Sequence, residues 1–469
     1  MTKRKKNISM KRKKKRLKLE YIQSRISIIS LIKKKVVSSD LKLSTKSVSL
    51  KDLVSFFRAT TNKPELFILE SSIKNGMVIA NIDLNLDENG KIKKDYIITV
   101  SLKDGKIDLF RKYNFEKINF FLNVDKNIYN FEEISFNSNN ANFFSKNLKI
   151  KKNKKTFFVE GDIQNKNSIL NNELLKLLNI NFNNIRFLNT NFDSINNFSF
   201  NVDDKFKISD FAIESSIQIN NSEYQKPNIF KNYFYNESDT IHIKDHEIKS
   251  NYKNDELIID GLGKIKLEEK FDEIKYKISL KNKDLSVYSQ LNLSELNLNK
   301  HEYLNFFFPK LNESITLKNQ KIEIDYNKKG LFLRGVGKVK FSNEFEDLNF
   351  NVSKINDKYN FETKIDLEKT LFNIDFFNFA KKNKLKTQVN ISGSYKDAFD
   401  LSNISVIDKN NKLILKNILL NKKNQIKKVD EINLDFFDKQ NKQNKISLKR
   451  KKKNEYLVSG LMFNADKVI

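Results

Sequence analysis

Three histidines, His242, His246 and His301, are the only imidazoles in the chain, and it has no cysteine. A thiolate nucleophile, a thiolate metal site and a disulfide framework are therefore excluded. His242 and His246 fall in the alternating stretch "DTIHIKDHEIKSNY". A strand would set them on one face about 13 Å apart, too far to share a metal ion. They are expected to be a surface pair without a role. "GLGK" (Gly261–Lys264) and "GVGK" (Gly335–Lys338) invite a phosphate-loop reading. That loop needs a glycine five residues before the Gly-Lys pair, a following Ser or Thr, and a switch from strand to helix. Ile265 and Val339 follow instead, inside alternating sequence. No Ser-His-Asp order, His-Glu helix motif or dinucleotide glycine pattern is present. The carboxylates alternate with lysines, as on a solvated strand face. No catalytic residue, metal or cofactor is assigned, and the sequence reads as a non-enzyme.

The elements that carry these residues are mostly strands. "DYIITVSLKDGKIDLF" (Asp95–Phe110) sets Tyr96, Ile98, Val100 and Leu102 on one face, with Asp104-Gly105 expected to make a tight hairpin turn. About 18 to 22 segments alternate in this way. Helical patterns are few. "SLKDLVSFFRATTNKPELFILESSIKNG" (Ser49–Gly76) predicts two short helices, with Ser49 as N-cap, Pro64 opening the second and Gly76 just past its end. Further short helices are expected at Ser168–Leu178, Glu302–Leu311 and Lys369–Lys382.

One stretch is written twice. Residues 246–293 match residues 320–367 without a gap at an offset of 74, with 11 identities in 48 positions. The match places Gly261 on Gly335 and Gly263 on Gly337. In the first copy Ile274, Tyr276, Ile278 and Leu280 share a face; in the second, Leu348, Phe350 and Val352 do. A unit of four or five antiparallel strands, apolar on one face only, has been duplicated, and that face must be covered or left open. The paired glycines are expected at a sheet bend.

The chain has 469 residues and a net charge of +29. Residues 1–50 hold 17 Lys or Arg against Glu20 and Asp40, a net of +15, so the other 419 residues carry only +14. Lys, Asn, Ile and Phe are over-used together, as an AT-rich coding sequence would produce. Outside the tail the lysines are scattered, which points away from a specific nucleic-acid partner. The expected organisation is a basic, disordered tail over 1–36, able to meet an anionic membrane surface, then a short helical segment over 37–78. The first part of the sheet spans 79–230, repeat units span 231–300 and 301–380, and the last part of the sheet spans 381–469. The apolar run Ile26–Ile32 is far shorter than the roughly 20 residues of a spanning helix, and no transmembrane segment is read.

Three stretches resemble the AsmA-like envelope proteins, in particular the YhdP-like branch as it occurs in AT-rich alphaproteobacteria. They are "SDLKLSTKSVSLKDLVSFFRATTNKPELFILESSIKNGMVIANIDLNLDENGKI" (Ser39–Ile92), "NLKIKKNKKTFFVEGDI" (Asn147–Ile163) and "YLVSGLMFNADKVI" (Tyr456–Ile469). The resemblance implies a long, twisted antiparallel β-groove, polar outside and apolar inside, periplasmic and tethered to the inner membrane. It further implies phospholipid movement towards the outer membrane, with acyl chains as partners. The family's membrane helix is missing and the sequence stops where another module would follow, so a fragment is expected. The residues expected to face lipid are Tyr96, Ile98, Val100, Leu102, Ile274, Tyr276, Ile278, Leu280, Leu348, Phe350 and Val352. The alternative is a structural or adhesive β-solenoid with a closed core.

Overall fold

Alternation of Ile, Phe, Tyr and Val with Lys, Asn and Ser produces what it should. Among the described residues 75% are strand and 6% helix, a mostly-β antiparallel groove fold with few short helices, and the sheet is not closed into a barrel. This computed structural model describes residues 8–463 except 13–14, most of 27–37, 62–63, most of 88–94, 110–112, 140, 154–155, 171–187, 189, 206, 226–239, 423–424 and 453–454. Among the described residues one sheet contains 27 strands. By packing, the chain divides into two units: residues 1–183, 187–222 and 247–256, and residues 184–186, 223–246 and 257–469.

The first unit opens with β1 (Ile8–Arg12), β2 (Lys15–Ile26), β3 (Ser38–Thr45) and β4 (Val48–Ser49). Two helices follow, α1 (Leu50–Thr61) and α2 (Pro64–Ser72). Then come β5 (Ile73–Asn85), β6 (Ile97–Leu109), β7 (Tyr113–Asp125), β8 (Ile128–Ser138), β9 (Ala141–Lys152), β10 (Thr156–Ile169), β11 (Asn191–Asp203) and β12 (Ile208–Gln225). From β5 to β12 each strand pairs antiparallel with the next. Leu53 and Phe56 of α1 pack on Leu19, Val48, Val78, Ala80 and Leu102, so the helix closes one end of the apolar face. Pro64 opens α2, as its fixed φ and missing N–H favour, and Arg58 ties the helices by pairing with Glu70.

The second unit takes β13 (Thr240–Lys253) as far as His246, then nearly all of β14 (Glu256–Lys266), and continues through β15 (Phe271–Lys281), β16 (Asp284–Asn299), β17 (Ser314–Asn327), β18 (Gly330–Lys340), β19 (Phe345–Ile355) and β20 (Lys358–Leu367). A separate two-stranded piece, β21 (Asn373–Ile374) with β22 (Phe379–Ala380), crosses over before β23 (Thr387–Tyr395). It ends with β24 (Phe399–Ile407), β25 (Lys412–Leu420), β26 (Ile426–Lys428), β27 (Glu431–Phe437), β28 (Gln443–Lys452) and β29 (Glu455–Met462). Its core gathers Phe308, Phe341, Phe372, Phe379 and Phe436 over Leu348, Leu367, Val389, Val406, Leu413 and Leu434.

The duplication is visible in the strand limits. Adding 74 to the ends of β13, β14 and β15 gives the ends of β17, β18 and β19. Asn254 and Asp255, and Asn282 and Lys283, all have positive φ, the signature of two-residue I′ hairpins. Asn356 repeats Asn282 at the same offset.

Several expectations change. Within the stretch expected to be a disordered tail, Ile8–Arg12 and Lys15–Ile26 are paired strands and Leu19 is buried, while residues 1–7, 13–14 and most of 27–36 lie outside the described residues. Asp104-Gly105 is not a hairpin: β6 runs straight through, with Asp104 at φ 51 in a bulge whose N–H donates to Asn119 Oδ1 at 3.0 Å. Gly76 lies three residues inside β5 rather than just past α2. Glu302–Leu311 shrinks to a 3-10 turn at Glu302–Phe306, and Lys369–Lys382 holds only β21, a turn at Asp375–Phe377 and β22. Asn378, at φ 50, ends that turn after three residues. Of the helix expected at Ser168–Leu178, Ser168 and Ile169 finish β10, and Asn171–Leu178 lie outside the described residues.

Candidate functional site

Residues directly opposite in an antiparallel ladder share a face. The registers can therefore be followed from strand to strand as rows crossing the sheet. In the second unit one row reads Gly337, Leu348, Ile365, Val389, Val406, Leu413, Leu434, Ile446. This row is covered. Phe308 stacks on Phe341 with ring centroids 4.1 Å apart and meets Phe372 edge-on, while Phe379 meets Phe436.

Two residues along each strand, a second row reads Gly335, Phe350, Thr363, Ile391, Ile404, Leu415, Ile432, Leu448. All of its side chains from Phe350 onward are half-buried. A third row reads Leu333, Val352, Phe361, Gly393, Leu401, Ile418, of which only Ile418 is buried. The apolar face is thus plugged along one end of its strands and left partly open beyond the plug. The first unit repeats the plan: Leu102 is buried beneath α1, whereas Val100, Leu122, Phe131 and Leu148 form a half-buried row.

Of the residues expected to face lipid, Tyr96, Ile98, Val100, Ile274, Tyr276, Ile278, Leu280, Phe350 and Val352 are half-buried on the apolar parity. Leu102 and Leu348 lie within the plugs, at 3% and 8% exposure. Alternation assigned the face but could not say which end is covered, because the covering residues come from α1 and from segments around Phe308 and Phe372.

A side chain from a neighbouring strand lies across each of the four glycines. The β14–β15 and β18–β19 ladders run without a register shift. A methyl on Gly261 would meet the Tyr276 ring at 2.1 Å, and one on Gly335 would meet the Phe350 ring at 2.1 Å. Gly263 lies against His246 and Gly337 against Gln320, again at the repeat offset. Each copy lays an aromatic ring and a polar side chain across its own glycines. The irregularity sits in β13 and β17, where Asp245 (φ 49) and Asn319 (φ 50) are equivalent.

Asp245 also overturns the reading of the histidines. Its left-handed conformation breaks the alternation, and His246 is buried at 5% exposure. His246 Nε2 lies 3.1 Å from the Tyr276 hydroxyl, while His242 Nδ1 pairs with Glu223 at 3.1 Å. Among the described residues no three His, Asp or Glu groups converge as a metal site.

The other face carries the charges. Lys149–Glu160, Lys277–Asp260 and Lys338–Asp347 are exposed cross-strand pairs at 3.5, 3.9 and 3.9 Å. A hollow of about 600 Å³ on that face of the second unit is bordered by Arg334, Asn351, Glu362, Ser392 and Ser402. Its lining mixes these polar residues with Phe332, Leu333, Val352 and Phe361. No helix among the described residues is long and apolar enough to cross a membrane. No protein-family model, curated protein or solved structure matches the chain.

Proposed function

We propose that the protein is a non-enzymatic, lipid-handling β-groove of the bacterial envelope, working in the periplasm between inner and outer membranes. In this reading it takes part in phospholipid transfer by letting acyl chains lie on its apolar face. The observation that carries the reading is the pair of half-buried rows through Phe350, Ile391 and Leu415 and through Val352 and Phe361. A purely structural sheet gains by burying such rows at about 25 cal/mol per Å². Here the plug covers the first row, Phe350, Ile391 and Ile432 of the second row pack against it only in part, and the third row is mostly half-buried. An acyl chain seated on the open rows would leave water at about 0.8 kcal/mol per buried CH₂. Transfer needs no chemical step, which fits a surface whose carboxylates are spent on lysines. The resemblance to AsmA-like, YhdP-like proteins points the same way. The basic residues of the N-terminal stretch would add attraction to an anionic membrane surface.

The competing reading is a closed structural or adhesive solenoid. A lipid-exchange assay separates the two: the full chain should accept a fluorescent phospholipid from donor vesicles. Paired substitution Val352→Asp with Ile391→Asp on the open rows should abolish acceptance. Uptake that survives both substitutions, or no uptake by the unaltered chain, would favour the solenoid.

A further inference from the structure

The open rows end differently at their two ends. Beyond the third row of the second unit, the registers bring Leu331, Lys354, Tyr359, Tyr395 and Phe399 into a fourth row at the open end of the strands. The Lys354 ammonium sits 5.2 Å from the centre of the Tyr359 ring. It makes no ion pair among the described residues. Tyr359 and Tyr395 are exposed at 40% and 39%. Across β18 to β24 the second, third and fourth rows contain no acidic residue. Further along, Arg450 occupies the corresponding end of β28 opposite Tyr456, with Asp430 as its partner at 3.4 Å. The first unit, by itself, has the same edge. Tyr96 and Tyr129 lie close together there, and Lys152 lies 5.7 Å from the Phe157 ring.

Tyrosine and lysine are the side chains that suit a boundary between hydrocarbon and water, each with an apolar body and a polar tip. Phe350 and Lys354 are four residues apart on one strand, about 14 Å at 3.4 Å per residue. One leaflet of a bilayer's hydrocarbon core is half of about 30 Å, or about 15 Å. The open width therefore matches one acyl chain laid parallel to the strands, with the phenylalanine plug stopping its tip.

From this geometry, and resting on the lipid reading above, we infer that the Lys354–Tyr359–Tyr395 edge is a head-group subsite for anionic glycerophospholipids, with acyl chains running along the strands towards the plug. Lipids would then lie side by side across the sheet, all with the same polarity. The unpaired ammonium supplies the charge preference, and the tyrosine hydroxyls supply donors to phosphate and ester oxygens.

Photoreactive lipids test this on the full chain. Phosphatidylglycerol probes would carry a diazirine either at the acyl terminus or beside the glycerol, and cross-links would be mapped by peptide mass spectrometry. The tail probe should label the Phe350–Ile391–Leu415 row, and the glycerol probe should label Tyr359 and Tyr395. In competition, phosphatidylglycerol should outcompete phosphatidylcholine, and Lys354→Gln should cut that preference about fivefold, the order expected of one lysine near an anionic surface. Reversed or uniform labelling would overturn the orientation while leaving lipid binding intact. A preference unchanged by Lys354→Gln would overturn the head-group assignment alone. Labelling no stronger than that of heat-unfolded protein would overturn the lipid reading itself, and this inference with it.

Discussion

His246 shows how much one buried side chain can govern. Burial holds its pKa below the ordinary value, so the fold favours the neutral ring. Stability is then fully present above the unfolded value of about 6.5 and is lost as pH falls from there through the depressed folded pKa. The second repeat carries Gln320 in the same place, with Nε2 donating to the Lys338 carbonyl at 2.9 Å. His246→Gln should therefore flatten the loss of melting temperature between pH 7.5 and pH 5.5; an equal loss in variant and parent would remove His246 as the cause. Gly335 is the other sensitive position. Gly335→Ala drives a methyl into the Phe350 ring, and overpacking of this kind costs about 1–3 kcal/mol. Urea unfolding should show that cost, and it should shrink in a Phe350→Leu background, where the ring is gone. The glycine spacing was legible in the sequence; the rings over Gly261 and Gly335 were not, because each comes from the next strand.

Among the elements, the plug of the second unit hangs on one carboxylate. Glu346 is 4% exposed and accepts the backbone N–H groups of Glu368, Lys369 and Thr370 at 2.8, 2.8 and 2.6 Å. Lys381, also buried, donates from Nζ to the Glu368 carbonyl at 2.6 Å. In the first repeat the equivalent acid, Asp272, accepts the Ser294 N–H at 2.7 Å. Glu346→Ala should destabilise by about 1–3 kcal/mol, because buried backbone donors lose their acceptor. Hydrogen exchange should rise most in the segment from Glu368 to Lys386. A uniform rise across β18–β20 instead would show that Glu346 supports the sheet rather than the plug. Strands and the repeat were readable because alternation and a 74-residue offset are local patterns. Bulges were not: at Asp104 and Asp245 the chain keeps its alternating composition while a single left-handed residue breaks the facing pattern. The helices expected near Phe308 and Phe372 failed for a related reason. Their apolar residues are spaced well enough to resemble a helical stripe, yet tertiary contacts with the sheet hold them in short turns and bridges.

Across the whole molecule the same plan is used in each unit: an antiparallel sheet with one charged face, and an apolar face plugged at one end of its strands. The half-buried rows are the feature that a purely structural sheet would not need, and they set the central claim that acyl chains occupy them. Lipid extraction and mass spectrometry of the full chain, purified from bacterial membranes in mild detergent, tests that claim without depending on any chosen probe. Phospholipid should be recovered with the protein at one or more molecules per chain. Val352→Asp with Ile391→Asp should reduce that recovery while Asn351→Asp, on the opposite face, leaves it unchanged. Recovery of no phospholipid, or of equal amounts from all three proteins, would contradict the assignment of the apolar rows as a lipid-bearing surface.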